Sequence, residues 1–142
     1  MLGRPGAGCT SFLRVLSNDR DSFDEVSGET RYGSMDHKEA RKFRQQIMFN
    51  NEDDIHFPTL TVNRTMKFAL KNKVPRERPE HLQEKKEYIQ GTRDGILESL
   101  GIAHTKKTLV GNEFIRGVSG GERKRVSLAE VMAGQVRLNS VR

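Results

Sequence analysis

Val118-Ser119-Gly120-Gly121-Glu122-Arg123-Lys124-Arg125-Val126 is the stretch from which the fold of this chain is read. Ser119 followed three residues later by Glu122 forms a capping box, which predicts a helix from Gly120 to about Ala133. Gly120 and Gly121 leave the backbone N–H groups of the first turn without side chains in front of them. A bare helix amino end carries partial positive charge and unpaired donors, which suits a phosphate. An ordinary capped helix has the same sequence signs, so the stretch needs a second signal. Arg123, Lys124 and Arg125 place positive charge where the helix dipole disfavours it, a placement easier to accept if an anion arrives there. Val126, Ala129 and either Val131 or Met132 are expected to face a core.

The second signal lies at the other end of the chain. Gly3-Arg4-Pro5-Gly6-Ala7-Gly8-Cys9-Thr10-Ser11 keeps the glycine and threonine frame of a P-loop. In such a loop backbone N–H groups wrap a phosphate, and Thr10 would ligate Mg²⁺. Phe12, Leu13, Val15 and Leu16 continue it as a short helix with an apolar face. Cys9 stands where the P-loop lysine belongs, and a neutral thiol cannot supply that point charge. A strand normally feeds this loop, whereas only Met1 and Leu2 precede it, so the chain reads as cut at its beginning.

Between the two glycine loops the pattern is mostly helical. Val26 to Met35 reads as strand material at a hairpin edge, and Asp36 to Arg44 as a polar helical segment capped by Asp36. Ile47-Met48-Phe49 reads as a short buried strand that empties into the polar loop Asn50-Asn51-Glu52-Asp53-Asp54, a usual ligand position in α/β proteins. Thr61 caps a helix through about Asn72, with Val62, Met66, Ala69 and Leu70 on its core face. Pro75 and Pro79 bracket a charged linker. A second helix is expected from Glu80 to Leu100, with Leu82, Ile89, Ile96, Leu97 and Leu100 apolar and Gly101 as its stop. His37, His56, His81 and His104 lack ligand spacing, which argues against a metal centre built on histidine. Val136 to Arg142 carries no usable pattern.

Composition bounds the partners. With 142 residues, 34% hydrophobic and 31% charged, the chain is one modest domain or part of a larger one. Its formal charge of +6 fits a nucleotide, a nucleic acid or a membrane surface, or simply a solvated basic face. The lone Cys9 excludes an intramolecular disulfide. No apolar run approaches the roughly 18 residues of a membrane span.

Taken together these residues resemble the ATPase domain of ABC transporters, from Gly3 to about Gln135. Val118-Ser119-Gly120-Gly121-Glu122 looks like the family's signature, and Gly3 to Ser11 like its Walker A loop. Glu52 falls at the Q-loop position, ahead of Ile55-His56-Phe57-Pro58-Thr59-Leu60-Thr61-Val62. The nearest resemblance is to the first nucleotide-binding domain of fungal pleiotropic drug resistance transporters, in which Cys9 and Glu52 at these positions are usual. The resemblance implies a partial α/β P-loop NTPase fold with a helical subdomain, lacking the strand before Walker A and the Walker B strand. Its parts would be a P-loop and Q-loop core over 1–60, a helical subdomain over 61–118, the signature helix over 119–135 and an unmatched tail over 136–142.

The resemblance further implies ATP and Mg²⁺ as cofactors, with Thr10 on the metal, and efflux across a membrane coupled to ATP hydrolysis in full-length relatives. The partners would be a second nucleotide-binding domain, head to tail, and the transmembrane domains, on the cytoplasmic face of the membrane. Nucleic acid is not among them. With the Walker B acids and the switch histidine missing, no catalytic residue is expected in this chain, nor appreciable hydrolysis by it alone. The competing reading is a non-catalytic partner module that keeps the signature helix without binding nucleotide. The transported substrate is not encoded in this stretch.

Overall fold

The computed structural model describes residues 3–75 and 84–135, and its packing divides the chain into two compact units, 3–49 and 50–135. The sequence boundary at residue 60 and the packing boundary at Phe49 differ: loop 50–60 packs with the helices that follow it.

The first unit opens with the glycine loop and helix α1, Cys9–Leu16. Gly6 and Gly8 sit at φ +80° and +79°, in the left-handed region that glycine enters without steric cost. Asn18 (φ 64°) turns the chain out of α1. The Tyr32 hydroxyl then donates to the Leu16 carbonyl at 2.9 Å, tying the following segment to the helix's carboxyl end. Helix α2, His37–Ala40, begins with the expected cap. Asp36 accepts from the Lys38 and Glu39 amides, both at 2.8 Å, and the Glu39 carboxylate returns to the Asp36 amide. A 3₁₀ segment, Arg41–Gln46, continues it.

Two expectations in this unit need correction. Residues 26–35 form no strand, only an isolated antiparallel bridge between Tyr32 and Met35 around Gly33 at φ +66°. Gly28 at φ +93° interrupts the extended backbone that a hairpin edge requires. Ile47-Met48-Phe49 is likewise not a strand: Ile47 and Phe49 are half-buried and Met48 is exposed. A three-residue apolar run becomes a strand only beside neighbours that satisfy its backbone, and the described residues provide none. The sheet of the expected α/β architecture is therefore not seen among the described residues, which are helical apart from two isolated bridges.

The second unit is a three-helix core. Helix α3, Val62–Lys71, is capped by Thr61 as expected and buries Val62, Met66 and Leu70, with Ala69 partly buried beside them. Helix α4, Lys85–Ser99, buries Tyr88, Ile89, Ile96 and Leu97, and Gly101 at φ +67° ends it. The part of the expected helix before Glu84, with Leu82 and His81, and the charged linker with Pro79 lie outside the described residues. Helix α5, Gly120–Gln135, buries Val126, Ala129 and Ala133. These share one stripe, so Ala133 replaces the anticipated Val131 or Met132; Val131 is half-buried and Met132 exposed. Ile102, Val110 and Val118 complete the cluster.

Candidate functional site

The amino end of α5 owes its position to the loop before it. Residues 108–118 fold back on 58–62: the Val110 amide donates to the Leu60 carbonyl at 2.9 Å and the Gly111 amide to Pro58 at 3.0 Å. The Val118 amide then returns to the Leu109 carbonyl at 3.0 Å, which buries Val118 and points the chain outward at Ser119. Asn112 shapes the loop tip, its Oδ1 accepting from the Phe114 and Ile115 amides at 2.9 and 2.8 Å. Only glycine fits at two points. A Cβ on Gly111, already at φ +70°, would meet the Gly117 nitrogen at 2.6 Å, and one on Gly117 would meet the Gly111 Cα at 2.6 Å.

At the helix start the capping box is present. The Ser119 amide donates to Glu122 Oε2 at 2.8 Å, and the Glu122 amide to Ser119 Oγ at 3.3 Å. His104 adds a 2.9 Å contact from Nε2 to Glu122 Oε1. The Ser119 amide bond, with His104 behind it, holds the Glu122 carboxyl below the usual carboxylate range. Ser119, Gly120 and Gly121 are exposed, and the Gly120 and Gly121 amides have no partner among the described residues. A Cβ on Gly120 would meet no described heavy atom within 4 Å. Two open amides and the Ser119 hydroxyl thus face outward from a positive helix end, an arrangement able to receive an anionic oxygen.

The loop at Glu52 is fastened to the flank of the same helix. Lys124 Nζ donates to the Asn51 and Glu52 carbonyls at 2.6 and 2.9 Å and lies 3.3 Å from Asp54 Oδ1. One helical turn on, the Ser127 hydroxyl donates to Asp54 Oδ1 at 2.6 Å, while His56 Nε2 stands 2.9 Å from Ser127 Oγ. His56, with its side chain only 3% exposed, contacts Glu130 Oε2 through Nδ1 at 3.2 Å. Sequence reasoning missed this clamp. It linked the charge of Arg123 to Arg125 to an arriving anion, whereas Lys124 serves the backbone of loop 51–54 within the chain. The spacing Lys124, Ser127, Glu130, one polar residue every three, was the available signal.

In the other unit, Gly3 to Gly8 are exposed, and Gly8 caps α1 with no side-chain hydrogen bond to the first turn. The amide end of α1 is therefore open in the manner a phosphate loop requires. Cys9 is partly buried against Gly3, where a Cβ would lie 2.6 Å from its sulfur. Thr10 and Ser11 are exposed. No group of three or more His, Cys, Asp or Glu residues that could hold a metal occurs among the described residues. A cation here would depend on Thr10 together with its ligand's own oxygens.

The sequence model described as "ABC transporter" matches residues 1–139. The chain is 82% identical over 135 residues to "ABC multidrug transporter G" of Aspergillus fumigatus, a match covering 95% of this chain and 10% of that protein. It is 54% identical over 133 residues to "ABC-type transporter cns4" of Cordyceps militaris, covering 94% of this chain and 10% of that protein. It is 48% identical over 137 residues to "Protein SNQ2" of Saccharomyces cerevisiae, covering 95% of this chain and 9% of that protein. The chain thus spans about a tenth of the length of these relatives. A family-wide match over nearly every residue, joined to two exposed glycine-rich helix starts, leaves one assignment: the chain belongs to the ABC transporter family, whose nucleotide-binding domain has the P-loop NTPase fold.

Proposed function

We propose that this chain is part of an ATP-binding domain of a multidrug-type ABC transporter, and that the amino end of α5 completes an ATP site seated on a second nucleotide-binding domain. The observation that carries the reading is the open turn Ser119-Gly120-Gly121, its glycine amides unpartnered among the described residues and its cap closed behind it by Glu122. The Ser119 hydroxyl and the two amides would contact the terminal phosphate of that ATP, head to tail, and stabilise charge as it develops there. Bound ATP·Mg²⁺ supplies the phosphoryl group whose transfer drives the transporter. Val118 anchors the turn from below, and the Lys124–Asp54 clamp holds the Glu52 loop to the helix that presents it.

The loop from Gly3 to Ser11 would hold a nucleotide of its own weakly. Gly6 and Gly8 would offer amides, the Ala7 amide being taken up by the Arg4 carbonyl at 3.0 Å, Thr10 would take Mg²⁺, and Cys9 leaves the phosphates without a lysine. One lost charge-assisted bond costs on the order of 1.5–3 kcal/mol, or about 10- to 150-fold in affinity. The Walker B strand and the strand before Walker A belong to the complete fold, and hydrolysis by these 142 residues alone is not expected. The partners would be the second nucleotide-binding domain and the transmembrane domains, at the cytoplasmic face of a membrane. Cys9 also favours a second reading, a non-catalytic module that binds no nucleotide and only lends its signature helix.

Two measurements test these readings. A fluorescent ATP analogue titrated into this chain should bind saturably with Mg²⁺ and weaken with Thr10→Ala; no binding would support the second reading. When the chain is combined with a competent partner domain, Ser119→Ala should lower ATP turnover about 10²-fold or more. Unchanged turnover would remove the role given to α5.

A further inference from the structure

A basic groove runs between α3 and α4, and neither the turn at Ser119 nor the Glu52 loop lines it. It encloses about 430 Å³ and is lined by Lys67, Lys71, Lys85, Lys86 and Arg93 around the buried Ile89. Outside the groove, Arg31 is met by Glu29, Arg41 by Asp21, Lys106 by Asp94 and Lys124 by Asp54, while others, such as Lys38, Lys42 and Lys107, form no ion pair among the described residues. The four groove lysines have no such partner among the described residues.

The sequence shows that this is not an accident of side-chain placement. Three and four residues to either side of Lys67 stand Arg64, Asn63, Leu70 and Lys71, and Lys71 is followed by Val74 and Pro75. Lys85 and Lys86 look forward to Tyr88, Ile89 and Gln90. No acid falls at helical spacing to any of them, and Lys67 and Lys71 stand one turn apart as a like-charged pair. Lys85 and Lys86 occupy the first turn of α4, where the dipole opposes positive charge. Arg93, its side chain 15% exposed, is fixed by Asn63 Oδ1 at 2.7 Å and Asp94 Oδ1 at 2.6 Å, and Lys106 shares that carboxylate at 2.9 Å. Arg93 at the groove floor is therefore held in place, while the lysines above it form no ion pair among the described residues.

We infer that this groove binds a multiply phosphorylated small ligand, either a free polyphosphate or the headgroup of a phosphoinositide lipid, between the lysines of α3 and those of α4. The volume fits a compact ligand of that kind, and several phosphates could each meet a separate ammonium group. The proposal does not depend on nucleotide binding at Gly3 to Ser11.

Calorimetric titration of the whole chain with inositol hexakisphosphate at about 0.15 M salt, where long-range steering is screened, tests it. Saturable binding is expected, weakened about tenfold or more by Lys67→Gln with Lys71→Gln, and likewise by Lys85→Gln with Lys86→Gln. Glutamine keeps helix propensity, so both variants should remain folded by circular dichroism. Lys42→Gln with Arg44→Gln removes the same charge elsewhere and should leave binding unchanged. Fluorescent ATP-analogue binding should be insensitive to the groove variants, which separates this site from the glycine loop. Capture on phosphatidylcholine vesicles containing phosphatidylinositol 4,5-bisphosphate, lost in the groove variants, would name the lipid source; soluble binding without capture would name the free one. Absence of saturable binding, or equal weakening in the Lys42 and Arg44 control, would overturn the proposal.

Discussion

Glu122 shows how one side chain sets the state of the turn that opens α5. Its carboxylate takes up the Ser119 amide and leaves the two glycine amides facing outward. Because the folded chain depresses its pKa, the unfolded chain binds more protons as acid is added. The contribution of this cap is therefore complete above the ordinary glutamate value, about 4.3, and is lost as pH falls through the lower folded value. Protection of the Ser119 and Glu122 amides, taken relative to their intrinsic exchange rate at each pH, should fall as pH drops below the ordinary glutamate value, and Glu122→Gln should flatten that dependence. Asp36, depressed for the same reason at α2, acts in the same direction and serves as an internal control. An exchange profile in the first turn of α5 that is equally steep with and without the carboxylate would show that the cap does not control the turn. The residue pattern Ser119-x-x-Glu122 was legible in the sequence, whereas the support from His104 was not, since His104 comes from a segment eighteen residues earlier.

At the scale of elements, the informative contact is the one between the Glu52 loop and α5. Ser127 is the middle of a chain of bonds running from Asp54 through its hydroxyl to His56 and on to Glu130. Ser127→Ala would leave Asp54 and the buried His56 each short of a partner, at a cost of about 1–3 kcal/mol. Denaturant unfolding of the chain checks the magnitude, and amide exchange over 51–56 should rise in the same variant. Glu130→Gln, at a side chain one-third exposed, should have the smaller effect. A neutral Ser127→Ala would mean that Lys124 and the His56–Glu130 contact suffice to hold the loop. The helices themselves were readable because Val62, Met66 and Leu70, and Ile89, Ile96 and Leu97, recur at helical spacing. Strands at 26–35 and 47–49 were misread because a strand's stability resides in its neighbours and not in its own residues.

For the molecule as a whole, burial is uneven. The hydrophobic cluster lies entirely within residues 62–133, while Ala40 is the one buried hydrophobic residue described before Phe49. Helix α1 buries nothing, and its Phe12, Leu13 and Leu16 are 52%, 46% and 41% exposed. Local opening is governed by such differences in buried apolar contact. Native-state hydrogen exchange should find the amides of α1 and α2 exchanging at least about tenfold faster than the central amides of α3, α4 and α5. Comparable protection across both units would show that residues 3–49 hold together by something other than their own packing.

What the sequence determined by itself was local: two glycine-rich helix starts, the caps at Asp36, Thr61 and Ser119, the core face of α3 and most of those of α4 and α5, and through their joint spacing the family. These are written in residues one to four positions apart, where periodicity and capping chemistry act. Only the tertiary structure decided that Gly111 and Gly117 press together to aim Ser119 outward, that Lys124 and Ser127 grip the loop at Glu52, and that lysines from α3 and α4 share one groove. Such contacts join residues that are distant along the chain. The energies that select them come from burial and hydrogen-bond satisfaction, which no local pattern encodes.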